Sequence, residues 1–226
     1  MQPETKIQIY TLSINKPISE ATLIKWLNHL PPERQEQLQK FRFREDYLRS
    51  LYSETILRTI IAKKAEILPK NITITRPEGK KPFLPDNPDI HFSISHSGEW
   101  AVCAIGNTEI GIDIEKIGEK EVKSSLKNRV LTEKELEYLE TLPDKQKTSI
   151  FYQYWTMKEA YSKCIGFGLG IDFRKIEIDI TGQITKITDD GKTWDGMIKT
   201  LDFSDDYALA LCTEKPTNTI TFQDFA

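Results

Sequence analysis

The spacing of apolar residues switches several times along the chain between the two-residue period of a strand and the near-four-residue period of a helix. Prolines close the first two helical stretches, at Pro31 and Pro69, because a proline ring cannot continue a helix. A tight turn at Gly98 joins two short apolar runs, as in a β-hairpin. This part of the chain predicts, in order, a strand at 7–14, a helix at 18–30, a long helix from 33 to about 67, a strand at 71–75, a loop at 76–82, and a strand, turn and strand within 89–105.

The second part of the chain repeats this order of elements. Pro143 interrupts its helical spacing, and the glycines of the 166–170 segment stand where the last helix should end. The final predicted strand, 207–212, echoes residues 100–105 at an offset of about 107 residues. The predicted elements are a strand at 109–114, a charged helical stretch at 119–142, a helix at 148–165, and strands at 176–180, 184–187, 194–201 and 207–212.

The order of elements predicts an α+β fold made of two similar halves, residues 1–107 and 108–226. No low-complexity linker separates the halves, so we expect them to pack tightly with a ligand site between them. Chance similarity between two small α+β units is the alternative to an internal duplication.

Composition narrows the classes of function. The 226 residues carry a formal net charge of −3, which disfavours a nucleic-acid binder because such proteins need a positive surface. Three scattered cysteines and three histidines predict neither a disulfide framework nor a zinc site. The polar N-terminus and the lack of an apolar run of about 18 residues predict a cytoplasmic protein with no membrane span. Two halves in one chain make a monomer sufficient.

The first of two acidic segments, residues 109–115, alternates like a strand. Its isoleucines share one face and can fill a core, whereas Asp113 and Glu115 share the other face with Gly111, which leaves space there. Two carboxylates on one face of a strand can converge on a magnesium ion. The alternative is an ordinary sheet with a solvated acidic face.

The second acidic segment, residues 155–163, lies about forty residues further along a predicted helix. Trp155, Glu159 and Lys163 recur at four-residue intervals and therefore form one stripe. With the acids of residues 109–115, this glutamate and lysine could hold a magnesium ion against a phosphate. The alternative is a surface ion pair between Glu159 and Lys163.

A histidine and several basic residues offer further anion-binding groups. His96 lies between Ser95 and Ser97 at a predicted strand end and could bind phosphate when cationic; the alternative is a plain turn histidine. A solvated helix face is the alternative for the basic residues, which are Arg34, Arg42, Arg44, Arg49, Arg76, Lys80 and Lys81.

Taken in order, these segments closely resemble the surfactin-type 4′-phosphopantetheinyl transferases. The matching segments are residues 76–82, 92–97, 111–115 and 155–163, and the resemblance extends to residues 32–34 and 43–50. It implies two α+β halves related by a pseudo-two-fold axis. It also implies a magnesium-dependent enzyme that moves the 4′-phosphopantetheine group of coenzyme A to a serine of an apo acyl or peptidyl carrier protein, releasing adenosine 3′,5′-bisphosphate.

The resemblance implies roles for the acidic residues. Asp113, Glu115 and Glu159 would ligate Mg²⁺ on the pyrophosphate of coenzyme A, and Lys163 would bind and stabilise the same diphosphate. Glu159, or a metal-bound water near Glu115, would take the proton from the carrier serine. The catalytic residues would then be Glu159, Lys163 and Glu115.

The resemblance also implies a site for the nucleotide end of coenzyme A. His96 and Ser95 would hold its 3′-phosphate and adenosine, and a basic cradle of Arg49, Arg76 and Lys81 would complete that site. The family often has Gly-Lys-Pro in the 76–82 loop. This chain has an extra lysine there, which leaves Lys80 and Lys81 as alternatives for the contact.

A carrier protein is usually acidic, so the enzyme needs a local basic surface to meet it. Lys123, Lys127 and Arg129 are the candidate residues for this surface. Fatty-acid, polyketide, nonribosomal-peptide and lipid carriers all stay open. Two other functions use the same residues: a magnesium-dependent nucleotide-diphosphate hydrolase acting on coenzyme A, and a non-catalytic module that binds a carrier protein.

Overall fold

The computed structural model describes residues 4–167, 170–182 and 185–225 and has a mixed α+β fold. The helices in these ranges are α1 (Glu20–Leu27), α2 (Pro32–Leu38), α3 (Arg44–Ala65), α4 (Ser124–Val130), α5 (Glu133–Thr141) and α6 (Asp144–Ile165). The strands are β1 (Lys6–Ser13), β2 (His91–Ser97), β3 (Trp100–Gly106), β4 (Ile110–Lys116), β5 (Ile176–Asp179), β6 (Lys186–Asp189), β7 (Lys192–Trp194), β8 (Met197–Thr200), β9 (Tyr207–Thr213) and β10 (Thr219–Asp224). Within the described ranges, no helix combines the length and apolar character that crossing a bilayer requires.

The strands form three sheets, with the orders β10-β1-β3-β2, β4-β9-β8 and β5-β6-β7. Strand β10 runs parallel to β1, and the other pairs are antiparallel. The predicted strand at 207–212 is confirmed as β9, but it is not the last strand, because the chain continues into β10. The predicted strand at 184–187 begins outside the described residues. Gly168 and Leu169, in the predicted helix end, also lie outside them.

Apolar residues of β1 alternate between two cores, and one of these cores joins the β10-β1-β3-β2 sheet to the β4-β9-β8 sheet, which are the two larger sheets. Ile7 and Ile9 lie in a cluster shared with β4 and β9, whereas Tyr10 and Leu12 pack in the cluster that contains α3. On the far side of the second sheet, β9 and β4 pack against α6. The layers therefore run from α3 through the first sheet and the second sheet to α6.

Two stretches predicted as single helices are each divided in two. The stretch from 33 to 67 forms α2 and α3, and its spacing looked continuous because Leu38 and Leu48 reach one core from different helices. The stretch at 119–142 forms α4 and α5, since Thr132 caps the second helix reciprocally with Glu135. The predicted helix at 148–165 begins earlier, at Asp144, directly after Pro143.

Two predicted strands also differ in the structure. Residues 71–75 form no strand beyond a single bridge between Thr75 and Phe83; the segment begins in a 3₁₀ turn, Pro69–Asn71, and the Arg58 guanidinium bonds the carbonyls of Pro69 and Ile72. The predicted strand at 194–201 is divided between β7 and β8.

A buried ion pair holds α5 on α6. The Lys158 ammonium, which is fully buried, donates hydrogen bonds to the Glu135 carboxylate and to the carbonyls of Val130 and Phe173. The other Glu135 oxygen accepts the N–H of Ile178 at 2.8 Å. Lys158 therefore anchors the helix and does not face the acidic segment, although Glu159 follows it directly.

Gly111 allows α6 to lie directly on β4. A Cβ at this position would come within 1.8 Å of the Ala160 carbonyl oxygen and 2.6 Å of the Cys164 nitrogen. The space that the sequence predicts beside Gly111 is therefore filled by helix backbone. The isoleucines of β4 fill the core between the sheets, as predicted, and the acidic face of the strand lies towards α6.

We expect Gly111→Ala to destabilise the protein by about 3 kcal/mol or more, because backbone atoms must separate to admit the methyl group. Urea denaturation followed by circular dichroism measures this change. Gly170→Ala is the matched control, since its added Cβ meets no atom within 4 Å. Equal stability of the two variants would contradict the close packing of α6 on β4.

Candidate active site

Strand β4 pairs with β9 on one side only, and its free edge faces β2 of the other sheet. Three serines of β2 accept hydrogen bonds from alternate backbone N–H groups along that edge. The pairs are Ser93 with Ile112, Ser95 with Ile114 and Ser97 with Lys116, at 3.0, 3.4 and 3.1 Å. Side-chain hydroxyls therefore take the place of a backbone ladder where the two sheets meet.

Two of these hydroxyls also donate to the acids of β4. Ser95 Oγ donates to Asp113 Oδ1 at 2.8 Å, and Ser97 Oγ donates to Glu115 Oε2 at 2.7 Å. Asp113 is only 4% exposed. The alternative of a solvated acidic face is therefore wrong, because this face lies against α6 and the serines of β2. We call this junction of β2, β4 and α6 the cleft.

Lys163 enters the cleft from α6. Its Nζ donates to Asp113 Oδ1 at 2.6 Å and to the Ile112 carbonyl at 3.2 Å. The alternative of a surface ion pair with Glu159 is wrong, because Lys163 pairs across to β4. Trp155, on the same stripe, is half-buried edge-on against Phe151.

The carboxylates of the cleft repel one another. Burial raises the pKa of Glu159 to about 7, and the negative charges of Asp113 and Glu115 contribute, while Lys163 opposes them. Burial also raises the pKa of Glu115, and the Asp113 charge acts in the same direction. The site therefore has negative charge that the surrounding protein does not fully neutralise.

One oxygen of the cleft has no partner. Asp113 Oδ2 is buried, and no hydrogen bond reaches it from the described residues. As their side chains stand, the described residues contain no group of three or more His, Cys, Asp or Glu placed to hold a metal ion. Asp113, Glu115 and Glu159 are thus electrostatic neighbours, although they do not form a ready ligand cage.

His96 lies beside the cleft at the turn between β2 and β3. His96 is exposed, but desolvation by the surrounding protein lowers the pKa of its imidazole, and the positive charges of Arg49 and Lys163 lower it further. Arg49 donates to the Gly98 carbonyl of this turn at 2.6 Å and pairs with Asp46. The structure therefore brings Arg49 and His96 to the same end of the cleft as Lys163.

Arg76 belongs to a separate cluster of charged residues around Glu54 of α3. Its guanidinium lies 3.1 Å from Glu54, a buried carboxylate that also pairs with Arg34 and Arg58. Burial by itself would raise the pKa of Glu54, but the three guanidinium groups hold it below the ordinary value. Three positive charges around one negative charge leave an excess of positive charge, and Arg34 and Arg76 present it partly to solvent.

Lys81 belongs to neither of these groups. Its Nζ donates to Glu109 and to the Ile110 carbonyl, both at 2.7 Å, and His91 contacts the other Glu109 oxygen at 3.0 Å. These residues line a cavity of about 870 Å³ beneath the 76–82 loop. The predicted nucleotide-binding residues are therefore divided: Arg49 and His96 lie at the cleft, Arg76 pairs with Glu54 of α3, and Lys81 and Ser95 are bonded to other protein carboxylates.

The proposed basic surface is only partly exposed. Lys123 and Arg129 are exposed, but Lys127 is buried and lies 3.4 Å from Glu121. The expectation that Lys127 faces a partner is wrong, because α4 turns this side chain inwards.

Several residues that shape the site were not singled out from the sequence. Glu54 and His91 organise the basic residues, and Ser97 was named only as a neighbour of His96. The alternation of Ser93, Ser95 and Ser97 was the one available signal for the serine row, because a strand that places polar residues on a single face must bond them to something.

Two family models match the chain. The first, described as 4′-phosphopantetheinyl transferase superfamily, matches residues 109–212, and the second, described as 4′-phosphopantetheinyl transferase, N-terminal, matches residues 16–108. Every cleft residue that comes from β4 and α6 lies within the first match.

Curated proteins show the same similarity. A 4′-phosphopantetheinyl transferase of Bacillus subtilis is 32% identical over 212 residues, which cover 93% of each chain. The 4′-phosphopantetheinyl transferase Sfp of Bacillus subtilis (strain 168) is 31% identical over the same length and coverage. The 4′-phosphopantetheinyl transferase HetI of Nostoc is 32% identical over 180 residues, covering 78% of this chain and 75% of that protein. Among solved structures, a holo-(acyl-carrier-protein) synthase from Bacillus anthracis in complex with CoA (3′,5′-ADP) is 27% identical, with a TM-score of 0.39, and the match covers 46% of this chain and 93% of that one.

The raised pKa of Glu159 predicts how stability depends on pH. Unfolding returns this carboxyl to its ordinary pKa, so between pH 4.5 and about 7 the folded state binds more protons than the unfolded state. Stability contributed by this group therefore falls as pH rises through that window. In metal-free buffer we expect Glu159→Gln to raise the free energy of unfolding at pH 8 by about 2 kcal/mol.

Urea denaturation at pH 8 and pH 5 tests this expectation. The gain should shrink at pH 5, where folded Glu159 is already protonated. Glu137→Gln, at an exposed position on α5, is the control and should change little at either pH. A gain that is equal at both pH values would contradict the electrostatic explanation.

Proposed function

The chain belongs to the 4′-phosphopantetheinyl transferase superfamily, and from that premise we propose its reaction. It transfers the 4′-phosphopantetheine group of coenzyme A to a serine of an apo acyl or peptidyl carrier protein. The serine Oγ bonds to the phosphorus nearest the pantetheine, the bond from that phosphorus to the bridging oxygen breaks, and adenosine 3′,5′-bisphosphate leaves. The observation that carries this proposal is the cleft in which three carboxylates and one lysine meet between β4 and α6.

Magnesium fits this cleft by the chemistry of its donors. Asp113, Glu115 and Glu159 offer the hard oxygen atoms that Mg²⁺ prefers. A cation would give Asp113 Oδ2 a partner and would lower the raised pKa of Glu159. When bound, Mg²⁺ neutralises negative charge on the diphosphate where the reaction develops it.

The protein residues supply orientation and proton transfer. Ser95 and Ser97 hold Asp113 and Glu115 in place. The Lys163 ammonium spends two of its three N–H groups on Ile112 and Asp113, so the third can meet a phosphate oxygen. Glu159, which a bound cation would keep ionised, would accept the proton of the carrier serine.

The nucleotide end of coenzyme A meets the basic groups. The positive charges of Arg49 and Lys163 both act on His96. His96 and Arg49 would therefore bind the 3′-phosphate and adenosine, on the same side as the diphosphate at Lys163. Arg76, with Arg34, offers the partly exposed positive charge around Glu54. Guanidinium groups bind phosphate well because their paired N–H groups match its oxygen atoms.

We further propose that residues 1–107 and 108–226 are two halves related by a pseudo-two-fold axis, with the active site between them. In support, α3 and α6 each contain 22 residues, and each ends at a residue with left-handed backbone. Those residues are Glu66 and Gly166, at φ 55° and 83°. Each long helix packs on an interior strand of the sheet that it covers: α3 packs on β3, and α6 packs on β9.

Intact-mass measurement of an apo carrier protein incubated with the enzyme, coenzyme A and Mg²⁺ tests the reaction. We expect a mass gain of one phosphopantetheine, and Asp113→Asn should slow the gain by about a hundredfold or more, because it weakens the metal site. Asp205→Asn, at an exposed position outside the cleft, is the control and should react normally. Coenzyme A degradation without carrier modification would favour a hydrolase, and binding without turnover would favour a non-catalytic module.

A basic surface at Lys123 and Arg129 is proposed to meet the acidic carrier. Reversing both charges to glutamate should raise the KM for carrier by about fivefold, because each exposed charge contributes modestly to encounter. The KM for coenzyme A should stay unchanged. The double variant Lys186→Glu with Lys192→Glu, exposed on β6 and β7, is the control for net charge, and an equal effect of that variant would argue against this placement.

A further inference from the structure

The 76–82 loop is fixed at both ends. The flanking residues Thr75 and Phe83 exchange two backbone hydrogen bonds of 3.0 Å, which close the loop. At its first residue, the Arg76 guanidinium pairs with Glu54 of α3. Gly79 makes the turn at the tip, where φ is +68°.

The other end of the loop is held by Lys81. Its backbone N–H donates to the Gly166 carbonyl at the end of α6, at 3.3 Å. Its side chain donates to Glu109 and to the Ile110 carbonyl, and it is only 15% exposed. The loop therefore connects α3, in the first proposed half, with β4 and α6, in the second.

Glu109 is the centre of the second attachment. One oxygen accepts from Lys81 and the other faces His91 Nδ1. The hydrogen bond to His91 is the largest influence that lowers the pKa of Glu109 to about 2, and Lys81 adds to it. Glu109 is therefore ionised at every pH at which the protein would be assayed.

Lys80 lines the same cavity as Lys81 but differs from it in exposure and in bonding. It is exposed, it lines the cavity of about 870 Å³ beneath the loop, and its ammonium has no partner among the described side chains. Using Lys81 as a phosphate ligand would require it to leave a carboxylate and a carbonyl, whereas Lys80 is available as it stands.

We propose that Glu109, braced by His91, is a positioning residue that holds Lys81 and thereby sets the loop so that Lys80 meets the phosphates of coenzyme A. This inference rests on the proposed function. Glu109 itself lies about 13 Å along β4 from Asp113, so it acts through the loop and not at the reacting atoms.

Calorimetric titration of the intact protein with coenzyme A tests the inference without a carrier protein. We expect Glu109→Gln and Lys81→Met each to raise the Kd for coenzyme A by about fivefold or more. The double variant should bind no more weakly than either single variant, because both remove the same attachment. Lys81→Arg should restore much of the affinity. Lys80→Met should weaken binding of coenzyme A and leave thermal unfolding unchanged.

The direction of the Glu109→Gln effect separates the two roles for Lys81. If Lys81 bound phosphate directly, removal of the competing carboxylate would free it, and coenzyme A would bind as tightly as before or more tightly. That result would overturn the proposal. In turnover, Glu109→Gln should raise the KM for coenzyme A and leave kcat nearly unchanged, a separation that general loss of folding would not produce.

Two controls complete the experiment. Glu177→Gln breaks a different ion pair, with Lys134, and should leave the Kd unchanged. Thermal unfolding of every variant confirms that the titrated protein is folded. Wild-type protein that fails to bind coenzyme A would overturn the proposed function and this inference with it, whereas normal wild-type binding with unaffected variants would overturn the inference alone.

Discussion

The free edge of β4 is the constraint on which the rest of the structure depends. A strand paired on one side leaves alternate N–H and C=O groups without ladder partners, and each costs about 1–3 kcal/mol if buried unbonded. Serine hydroxyls of β2 accept the N–H groups, while Lys81 and Lys163 donate to the carbonyls of Ile110 and Ile112. Side chains from three separate segments thus complete one strand edge and join the two larger sheets.

Completing the edge with hydroxyls has a chemical consequence that a backbone ladder would not have. A hydroxyl can accept one hydrogen bond and donate another, so Ser95 and Ser97 bond the strand and also orient Asp113 and Glu115. The same contacts that join the sheets therefore hold the acids in the cleft. Glu159 approaches them from α6, where burial, together with the negative charges of Asp113 and Glu115, raises its pKa and prepares the cleft for a cation.

Charged residues that look alike in the sequence have different roles because of their partners. Lys158 and Glu159 are neighbours, yet the first is buried in an ion pair with Glu135 and the second lies in the cleft. Likewise, Lys81 is held in an ion pair with Glu109, whereas Lys80 is exposed and lines the cavity. In both pairs the anchoring lysine binds a carboxylate more than twenty residues away, and local spacing carries no information about such a partner.

The sequence alone determined the features that depend on near neighbours. These include the β2–β3 hairpin at Gly98, the alternation that places isoleucines on one face of β4 and acids on the other, and the helix that ends at Gly166. Each follows from backbone preference or side-chain period within a few residues. The tertiary structure decided that the acidic face of β4 is covered by α6 and which cation each carboxylate binds, because those outcomes depend on contacts between segments far apart in the chain.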